Sequence, residues 1–146
     1  MKILLPTRPQ PDTIVAIFLL RRFGAERFPG IADATVEIAA TLPYDSTLEK
    51  LVADGMLPID VGGGPFDHHN KNECASELVA RYLGVERDPA LGRLLAYAKR
   101  DDQEGKGIIS NDPIDRAFGL SGLIASLNKT SGGNTQKIVS IVLPLL

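Results

Sequence analysis

The residues best suited to chemistry lie close together near the middle of this sequence. Asp60 is followed by a glycine run at 62–64 and then by Asp67, His68 and His69, which include both histidines of the chain. A neutral imidazole is a good metal ligand, and a neighbouring carboxylate can fix its tautomer. Glycine lets the backbone approach a ligand closely. The pattern indicates a metal or phosphate site, although an adjacent histidine pair also occurs as an ordinary solvated feature of loops.

A strand and a helix are predicted on either side of this segment. The apolar residues 56–59 lead into Asp60 as a short buried strand, and residues 73–83 have helical periodicity that stops at Gly84. Asp60 would then lie at the carboxyl end of a strand, where open α/β sheets bind ligands. The first turn of the following helix, which includes Ser76, would offer backbone N–H groups to a phosphate.

The remaining patterns alternate between strand and helix before becoming mostly helical. Residues 2–5 and 34–39 have strand patterns. Helical patterns cover residues 14–23, 45–52 (with a Ser/Thr cap that places Glu49 three residues after Ser46), 89–99 and 120–127, and residues 112–115 open a further helical stretch. The alternation predicts an α/β fold with a parallel sheet, flanking helices, right-handed crossovers and a helical C-terminal part.

The chain of 146 residues is expected to form one domain over residues 1–130, followed by an apolar tail at 131–146. The segment 130–134, with two glycines, is the best linker candidate. An exposed apolar tail would be a liability. We therefore expect the tail either to pack on the domain or to form an interface, such as that of a homo-oligomer.

The composition restricts the class of protein. A hydrophobic fraction of 44% and a charged fraction of 23% are ordinary for a globular domain. The net charge of −2 argues against a general basic surface for nucleic acid. One cysteine excludes an internal disulfide and suits a reducing compartment. The apolar start is too short for a signal peptide and no run is long enough to span a membrane, so a cytoplasmic location is expected.

Three further aspartates are candidates for the same site. Asp12 lies at the start of the first predicted helix, where it either caps the helix or binds a ligand, and its position alone favours the cap. Asp101 and Asp102 lie in the charged run 99–107. Such a run is ordinarily a solvated helix end, but paired aspartates there could also supply a carboxylate to a cation.

These residues together resemble the DHH phosphoesterase superfamily. The triplet at 67–69 is the one that names the group, and the run Asp-Val-Gly-Gly at 60–63 resembles its branch of metal-dependent hydrolases and exonucleases. Pro11 with Asp12, and the segment 120–128, also look like that branch. The resemblance covers about residues 3–128, and only the middle motif is specific.

The resemblance implies a fold like the N-terminal domain of that superfamily and a site with two manganese or magnesium ions. Asp60 resembles its bridging aspartate, and His68 resembles its metal-ligating histidine. His69 resembles the histidine that contacts the scissile phosphate. Asp67 would orient the two histidines from outside the metal's coordination shell. On this resemblance, we do not expect these 146 residues to hold the family's second, substrate-gripping domain.

The first motif departs from the family. Pro11 and Asp12 are kept, but Arg8 stands at the histidine position and Ile14 at the second aspartate position. A guanidinium cannot coordinate a metal. It can instead bind phosphate through its planar fork, so we expect Arg8 to replace one ion electrostatically.

The resulting hypothesis is a phosphoesterase that acts on a phosphodiester or pyrophosphate bond of a phosphorylated small molecule or short oligonucleotide. It would use one manganese or magnesium ion rather than two, with Arg8 and His69 as catalytic and phosphate-binding residues. The expected metal ligands are Asp12, Asp60, His68 and either Asp101 or Asp102. A degenerate protein that binds nucleotide, phosphate or a partner without cleavage, with or without an ion, is the alternative. Zinc bound by His68, His69 and Cys74 is a third reading, and its spacing fits no closed zinc pattern.

Overall fold

The computed structural model describes residues 1–42, 46–69, 72–104 and 111–146. Three short strands form a parallel sheet: β1 (Lys2–Leu5), β2 (Thr35–Ile38) and β3 (Met56–Pro58). Their order is β2-β1-β3, and Ile3 of the central strand lies opposite Val36 on one side and Leu57 on the other. The predicted α/β class and its parallel sheet are confirmed, and the sheet is small.

Helix α1 (Pro11–Phe23) is the central helix and packs against several of the later ones. It is buried along most of its length. Proline suits its first position, and Gly24 follows its last turn. Its cap is Gln10, whose backbone N–H donates to Thr13 Oγ1 at 3.0 Å. The expectation that Asp12 caps this helix is therefore wrong. Asp12 lies inside the first turn, and its carboxylate is not the cap.

The further helices in the described ranges are α2 (Leu48–Ala53), α3 (Ala75–Leu83), α4 (Gly92–Glu104), α5 (Pro113–Phe118), α6 (Leu120–Thr130) and α7 (Thr135–Val142). Thr47, rather than Ser46, caps α2, because its hydroxyl accepts the Lys50 N–H at 3.3 Å. Residue 45, the predicted start of this helix, lies outside the described residues.

Helix α4 begins later and runs further than its sequence pattern predicts. A turn occupies the predicted start, where Asp88 accepts the Ala90 N–H at 2.9 Å through its side chain and the Leu91 N–H at 3.0 Å through its carbonyl. The helix then continues through the charged residues 99–104, which places Asp101 and Asp102 in its final turns. Residues 105–107, which close that charged run, lie outside the described part of the chain.

The C-terminal segment packs on the rest of the structure. Gly132 and Gly133 take positive φ values of 62° and 82° in the turn before α7. Gln136 Oε1 accepts the Val36 N–H at 2.9 Å, so α7 covers the open edge of β2. A small apolar group, here called the α6–α7 core, joins α1 to these helices: Ile14, Ile124, Ile138 and Val142.

A larger core lies between the sheet and helices α1 and α3. It includes Ile3, Leu5, Ile17 and Leu57, all fully buried. Among the described residues, none of the helices combines the length and the apolar character needed to cross a membrane. The two cores hold α1 from different sides, and its first turn is left beside the carboxyl edge of the sheet.

Candidate metal centre

Four side chains from distant parts of the sequence meet at the carboxyl edge of the sheet. We call them the acidic cluster: Asp12 from α1, Asp60 after β3, His68 from the following loop and Asp102 from α4. Strands β1 and β3 are parallel neighbours. The segments that follow them therefore leave the sheet at the same edge, which is where ligands bind in such folds.

His68 is the centre of the acidic cluster. Its Nε2 lies 2.9 Å from Asp60 Oδ1 and 3.7 Å from Asp12 Oδ2, and its Nδ1 lies 3.6 Å from Asp102 Oδ2. One potential ligand atom from each of Asp12, His68 and Asp102 can be chosen so that all three lie within 4.8 Å of one another. The arrangement could hold a metal ion.

Two carboxylate oxygens of the acidic cluster are buried without a hydrogen-bond partner among the described residues. They are Asp12 Oδ2 and Asp60 Oδ1. The second lies 2.9 Å from His68 Nε2, yet the contact does not have hydrogen-bond direction. Adjacent ligands that are each about 2.1 Å from one octahedral ion are about 3.0 Å apart. The Asp60–His68 contact matches that ligand-to-ligand spacing.

The backbone at Asp60 is strained. Its φ of 58° is the only positive value at a non-glycine residue in the described ranges. Aspartate tolerates this left-handed conformation better than most residues, but it still costs free energy. The turn is held by the Asp60 N–H, which donates to the Phe66 carbonyl at 3.0 Å. In this conformation the Asp60 carboxylate lies beside His68.

The carboxylates of the acidic cluster oppose one another. Burial, followed by the charges of Asp102 and Asp60, raises the pKa of Asp12 to about 6, and His68 acts in the opposite direction. Burial also raises the pKa of Asp60, which His68 and His69 partly offset. A bound cation would relieve both the desolvation and the repulsion.

The second histidine lies in a different environment, at the mouth of the site. Asp67 Oδ1 lies 2.7 Å from His69 Nδ1 and also accepts the His69 backbone N–H at 3.0 Å, while Oδ2 accepts the Gly63 N–H at 2.6 Å. The Asp67 hydrogen bond, followed by the charge of Asp60, raises the pKa of His69. Asp67 thus orients His69, and no hydrogen bond within the described ranges joins it to His68.

The pKa of Asp67 is shifted in the opposite direction to that of Asp60. Burial acts to raise the pKa of Asp67, but hydrogen bonds from His69 and Gly63 outweigh it and lower that pKa. The His69 side chain is 64% exposed and its ring stacks on that of His68 at a centroid distance of 5.6 Å. A solvent-facing imidazole with a raised pKa therefore adjoins the buried carboxylates.

The two adjacent aspartates of α4 have different surroundings. Consecutive helical residues point about 100° apart, so one position can face the cluster while the next cannot. Asp102 faces His68, whereas Asp101 accepts a short hydrogen bond from the Ser121 hydroxyl of α6. Of this pair, the structure brings Asp102 to the acidic cluster.

Two other residues of the predicted site, and the isoleucine at the family's second aspartate position, make contacts outside the acidic cluster. Arg8 is exposed, and its Nη1 donates to the Asn128 carbonyl at 3.0 Å. Ser76 is fully buried, with its hydroxyl 3.1 Å from Cys74 Sγ. Ile14 lies in the α6–α7 core and is 1% exposed. Positions 12 and 14 lie about 200° apart around the helix, which explains why only Asp12 faces His68.

A polar network behind the site was not foreseen from the sequence. The Tyr97 hydroxyl lies 2.7 Å from Ser121 Oγ, which in turn donates to Asp101. Burial raises the pKa of Tyr97 to about 12, so the phenol keeps its proton and donates to the serine. The four-residue spacing of Tyr97 and Asp101 on one helix was the available signal.

No protein-family model, curated protein or solved structure matches this chain. The chemistry of the site therefore follows from its own donors. The acidic cluster offers three carboxylates and one imidazole. In the described ranges two groups of potential metal ligands lie close together, Asp12 with His68 and Asp102, and Asp60 with Asp67 and His69, and Cys74 belongs to neither. Such a donor set suits a hard divalent cation, whereas a thiolate zinc site would need cysteine ligands.

Proposed function

We propose that this protein is a metal-dependent phosphoesterase of the DHH type, which binds one manganese or magnesium ion through the acidic cluster. Its substrate would carry a phosphodiester or pyrophosphate bond in a small molecule or short oligonucleotide. The observation that carries the proposal is the pair of buried oxygens, Asp12 Oδ2 and Asp60 Oδ1, which have no hydrogen-bond partner in the described ranges and which both lie beside His68 Nε2.

The chain's own residues have separable tasks in this proposal. Asp12, Asp60, His68 and Asp102 would hold the ion. When bound, such an ion lowers the pKa of a coordinated water and stabilises charge on the phosphoryl oxygens. His69 would donate a hydrogen bond, or a proton, from Nε2 to a substrate oxygen, because Asp67 occupies its Nδ1 at 2.7 Å and favours its charged form.

A single ion is proposed rather than two. The second aspartate position of the resembled family is Ile14, which is buried in the α6–α7 core. Its histidine position is Arg8, a residue without metal-binding capacity. Arg8 is exposed near Asn128, from where its guanidinium could bind a phosphate group of the substrate.

The same observations favour a second candidate function, in which the protein binds a phosphorylated ligand without cleaving it. A centre with one ion cannot clamp both the attacking and the leaving oxygen as a two-ion centre does. The experiment must therefore measure binding and cleavage separately.

The experiment is a manganese titration of metal-stripped protein by calorimetry, followed by assays with bis-(p-nitrophenyl) phosphate and pyrophosphate. Asp60→Asn preserves shape and the left-handed preference while removing the charge. Asp54→Asn is the matched control, because Asp54 is exposed and lies before the amino end of β3 whereas Asp60 lies beyond its carboxyl end.

We expect one manganese site in the wild type and in Asp54→Asn, and a loss of at least about 100-fold in affinity in Asp60→Asn. Hydrolysis that follows site occupancy would support the phosphoesterase. Metal and phosphate binding without turnover would support the second candidate. Absence of binding at millimolar manganese in the wild type would reject both.

A further inference from the structure

The last two turns of α4 carry Asp102 into the acidic cluster, yet they contain almost no apolar side chain. Residues 98–104 include one apolar residue, Ala98, which is fully buried one turn before Asp102. Burial of apolar surface holds a helix against its neighbour, but this force has no direction. The rotation of these turns about the helix axis therefore depends on directional contacts, such as hydrogen bonds.

A small rotation of α4 would move Asp102 out of the acidic cluster. A helix with its side chains is about 10 to 12 Å wide, so a carboxylate lies about 5 Å from the axis, and turning the helix by about 20° moves it by about 2 Å. Metal–ligand distances vary by only about 0.2 Å. The 3.6 Å separation of Asp102 Oδ2 from His68 Nδ1 therefore depends on the contacts that fix the rotation of α4.

One serine of α6 is bonded to two successive turns of α4. Ser121 donates its proton to Asp101, so the Tyr97 hydroxyl, which lies 2.7 Å from Ser121 Oγ and one helical turn before Asp101, is the donor to the serine. Asp101 is 3% exposed. Hydrogen bonds to a carboxylate are charge-assisted and stronger than those between neutral groups. This contact therefore resists rotation of α4 at the level of Asp102.

A second contact holds α4 on the other side of Asp102. Lys99 donates to Glu77 of α3 at 2.9 Å, and both side chains are partly exposed, so this ion pair contributes less than a buried contact. Successive helical residues are about 100° apart, which places Asp102 between the two contacts, about 100° from Asp101 and about 60° from Lys99. Asp102 therefore faces His68 from the arc between the two contacts.

The same helix, α6, also holds the start of α1. Ser121, Ile124 and Asn128 follow one another at helical spacing and lie on one face of α6. Ile124 packs against α1 in the α6–α7 core, and Asn128 Nδ2 donates to the Pro9 carbonyl at 2.8 Å. Because α1 carries Asp12, one face of α6 contacts both of the helices that supply carboxylates to the acidic cluster.

We infer that Ser121 is a positioning residue of the proposed metal site. Through its hydrogen bond to Asp101, it fixes the rotation of α4 at which Asp102 faces the ion. The effect on metal binding rests on the proposed function. The placement of Asp102 beside His68 is a property of the metal-free protein and can be measured separately.

The test combines manganese calorimetry with NMR of the His68 ring in metal-free protein at one fixed pH. Ser121→Ala removes the hydroxyl that joins α6 to α4, and Tyr97→Phe removes only the hydroxyl that donates to it. Ser126→Ala is the matched control, because Ser126 is an exposed serine of the same helix, about 140° away from Ser121. Urea denaturation of each variant measures its stability.

We expect Ser121→Ala to weaken manganese binding about 10- to 100-fold and Tyr97→Phe about threefold, with no change in Ser126→Ala. The His68 ring signals should shift in Ser121→Ala and less in Tyr97→Phe. A hydroxyl that only stabilised the fold would lower the urea midpoint, while the folded protein kept its manganese affinity and its His68 signals. That result would overturn the inference, as would equal losses of affinity in Ser121→Ala and Ser126→Ala.

The two readouts separate this inference from the proposed function. If the wild type binds no manganese but the His68 signals shift in Ser121→Ala and not in Ser126→Ala, the placement of Asp102 by Ser121 stands and the proposed function fails. If the wild type and Ser121→Ala bind manganese equally, the positioning role fails and the proposed function stands. If Ser121→Ala does not fold, Tyr97→Phe decides, and wild-type affinity with unshifted His68 signals in that variant overturns the inference.

Discussion

The two sides of the first turns of α1 form opposite environments, although they begin only two residues apart. On one side, Asp12 enters the acidic cluster with a buried oxygen that has no hydrogen-bond partner in the described ranges. On the other, Ile14 packs among Ile124, Ile138 and Val142 in the α6–α7 core, which is apolar throughout. Replacing Asp12 by a neutral residue and replacing Ile14 by a polar one should therefore change the free energy of unfolding in opposite directions.

The residues that stabilise α1 thus differ from the residues that α1 contributes to the candidate metal site. The α6–α7 core stabilises the fold by burying apolar surface. The acidic cluster gathers buried charges at a cost in stability unless a cation binds. Sites arranged for ligand binding commonly carry such a cost, because their groups complement a ligand rather than one another. The following predictions test that separation.

The largest expected effect is from Ile14→Asp, which brings a charge into the α6–α7 core. We expect the free energy of unfolding to fall by about 4 kcal/mol, because the variant loses apolar packing and buries an unpaired carboxylate. Urea denaturation would measure this loss. Ile114→Asp is the matched control, since Ile114 is 68% exposed and should change stability by less than about 0.5 kcal/mol. A stable Ile14→Asp variant with a second metal site would remove the contrast between the two sides of α1.

Asp12→Asn should act in the opposite direction. Burial raises the pKa of Asp12 from 3.8 to about 6, so the ionised carboxylate destabilises the metal-free fold at pH 7. We expect the neutral amide to raise the free energy of unfolding by up to about 3 kcal/mol and to weaken manganese binding at least about 100-fold. Chemical denaturation in a chelator, with Asp54→Asn alongside, would measure the first effect. A destabilised Asp12→Asn variant would contradict it.

The same group predicts a pH dependence of metal-free stability. Between pH 3.8 and about 6 the folded state binds more protons at Asp12 than the unfolded state does. The contribution of Asp12 is therefore largest below pH 3.8 and is lost as the pH rises through about 6. The stability difference between wild type and Asp12→Asn should grow across this window and level off above pH 7. A constant difference between pH 4 and pH 7 would show that Asp12 titrates normally.

We expect manganese affinity to rise with pH, whereas the contribution of Asp12 to metal-free stability falls. A metal ligand must lose its proton, so binding displaces the proton of Asp12 below pH 6 or so. We expect the affinity to fall at least about tenfold per pH unit below that value and to approach a plateau above pH 7. Calorimetry in buffers of different ionisation enthalpy would detect the released proton. An affinity independent of pH from 5 to 7 would rule out Asp12 as a ligand.

The smallest effect is expected at the exposed mouth. In Asp67→Asn the pKa of His69 should fall toward its ordinary value, because the hydrogen bond with Asp67 is the main cause that raises it. Titration of the histidine ring signals by NMR in metal-free protein would measure the change. Asp88→Asn serves as a control with a half-buried carboxylate bonded to a backbone N–H. An unchanged His69 titration would mean that Asp67 does not control its charge.

Several elements could be predicted from sequence because local interactions decide them. The strand at Lys2–Leu5 was predicted with its observed bounds. The end of α3 was also predicted, from the glycine at position 84. In the structure Gly84 is the C-cap of this helix and takes a positive φ of 75°. The position of Asp60 just beyond a buried strand follows from the apolar run before it. These features depend on residues a few positions apart, which a linear pattern contains.

Other features depended on neighbours far away in the chain. Gln10 rather than Asp12 caps α1, and the Asp12 carboxylate lies near His68, Asp60 and Asp102 from distant parts of the chain. Helical periodicity could not choose between Asp101 and Asp102, because the choice depends on the rotation of α4 against its neighbours. The hydrogen bond from the Asn128 side chain to the Pro9 carbonyl joins residues more than a hundred positions apart. A pattern of neighbouring residues cannot predict a contact between positions so far apart in the chain.

The sequence alone therefore determined which chemical groups were available: the Asp-His-His triplet, the strand-end Asp60, and a chain whose pattern predicts a parallel sheet. Only the tertiary structure decided that His68 lies among three carboxylates while His69 faces solvent beside Asp67. The physical reason is that residue types and short-range spacing set the local conformation. The burial that alters the pKa of Asp12, and the meeting of α1 with α4 and with the loop that carries His68, arise only when distant elements pack together.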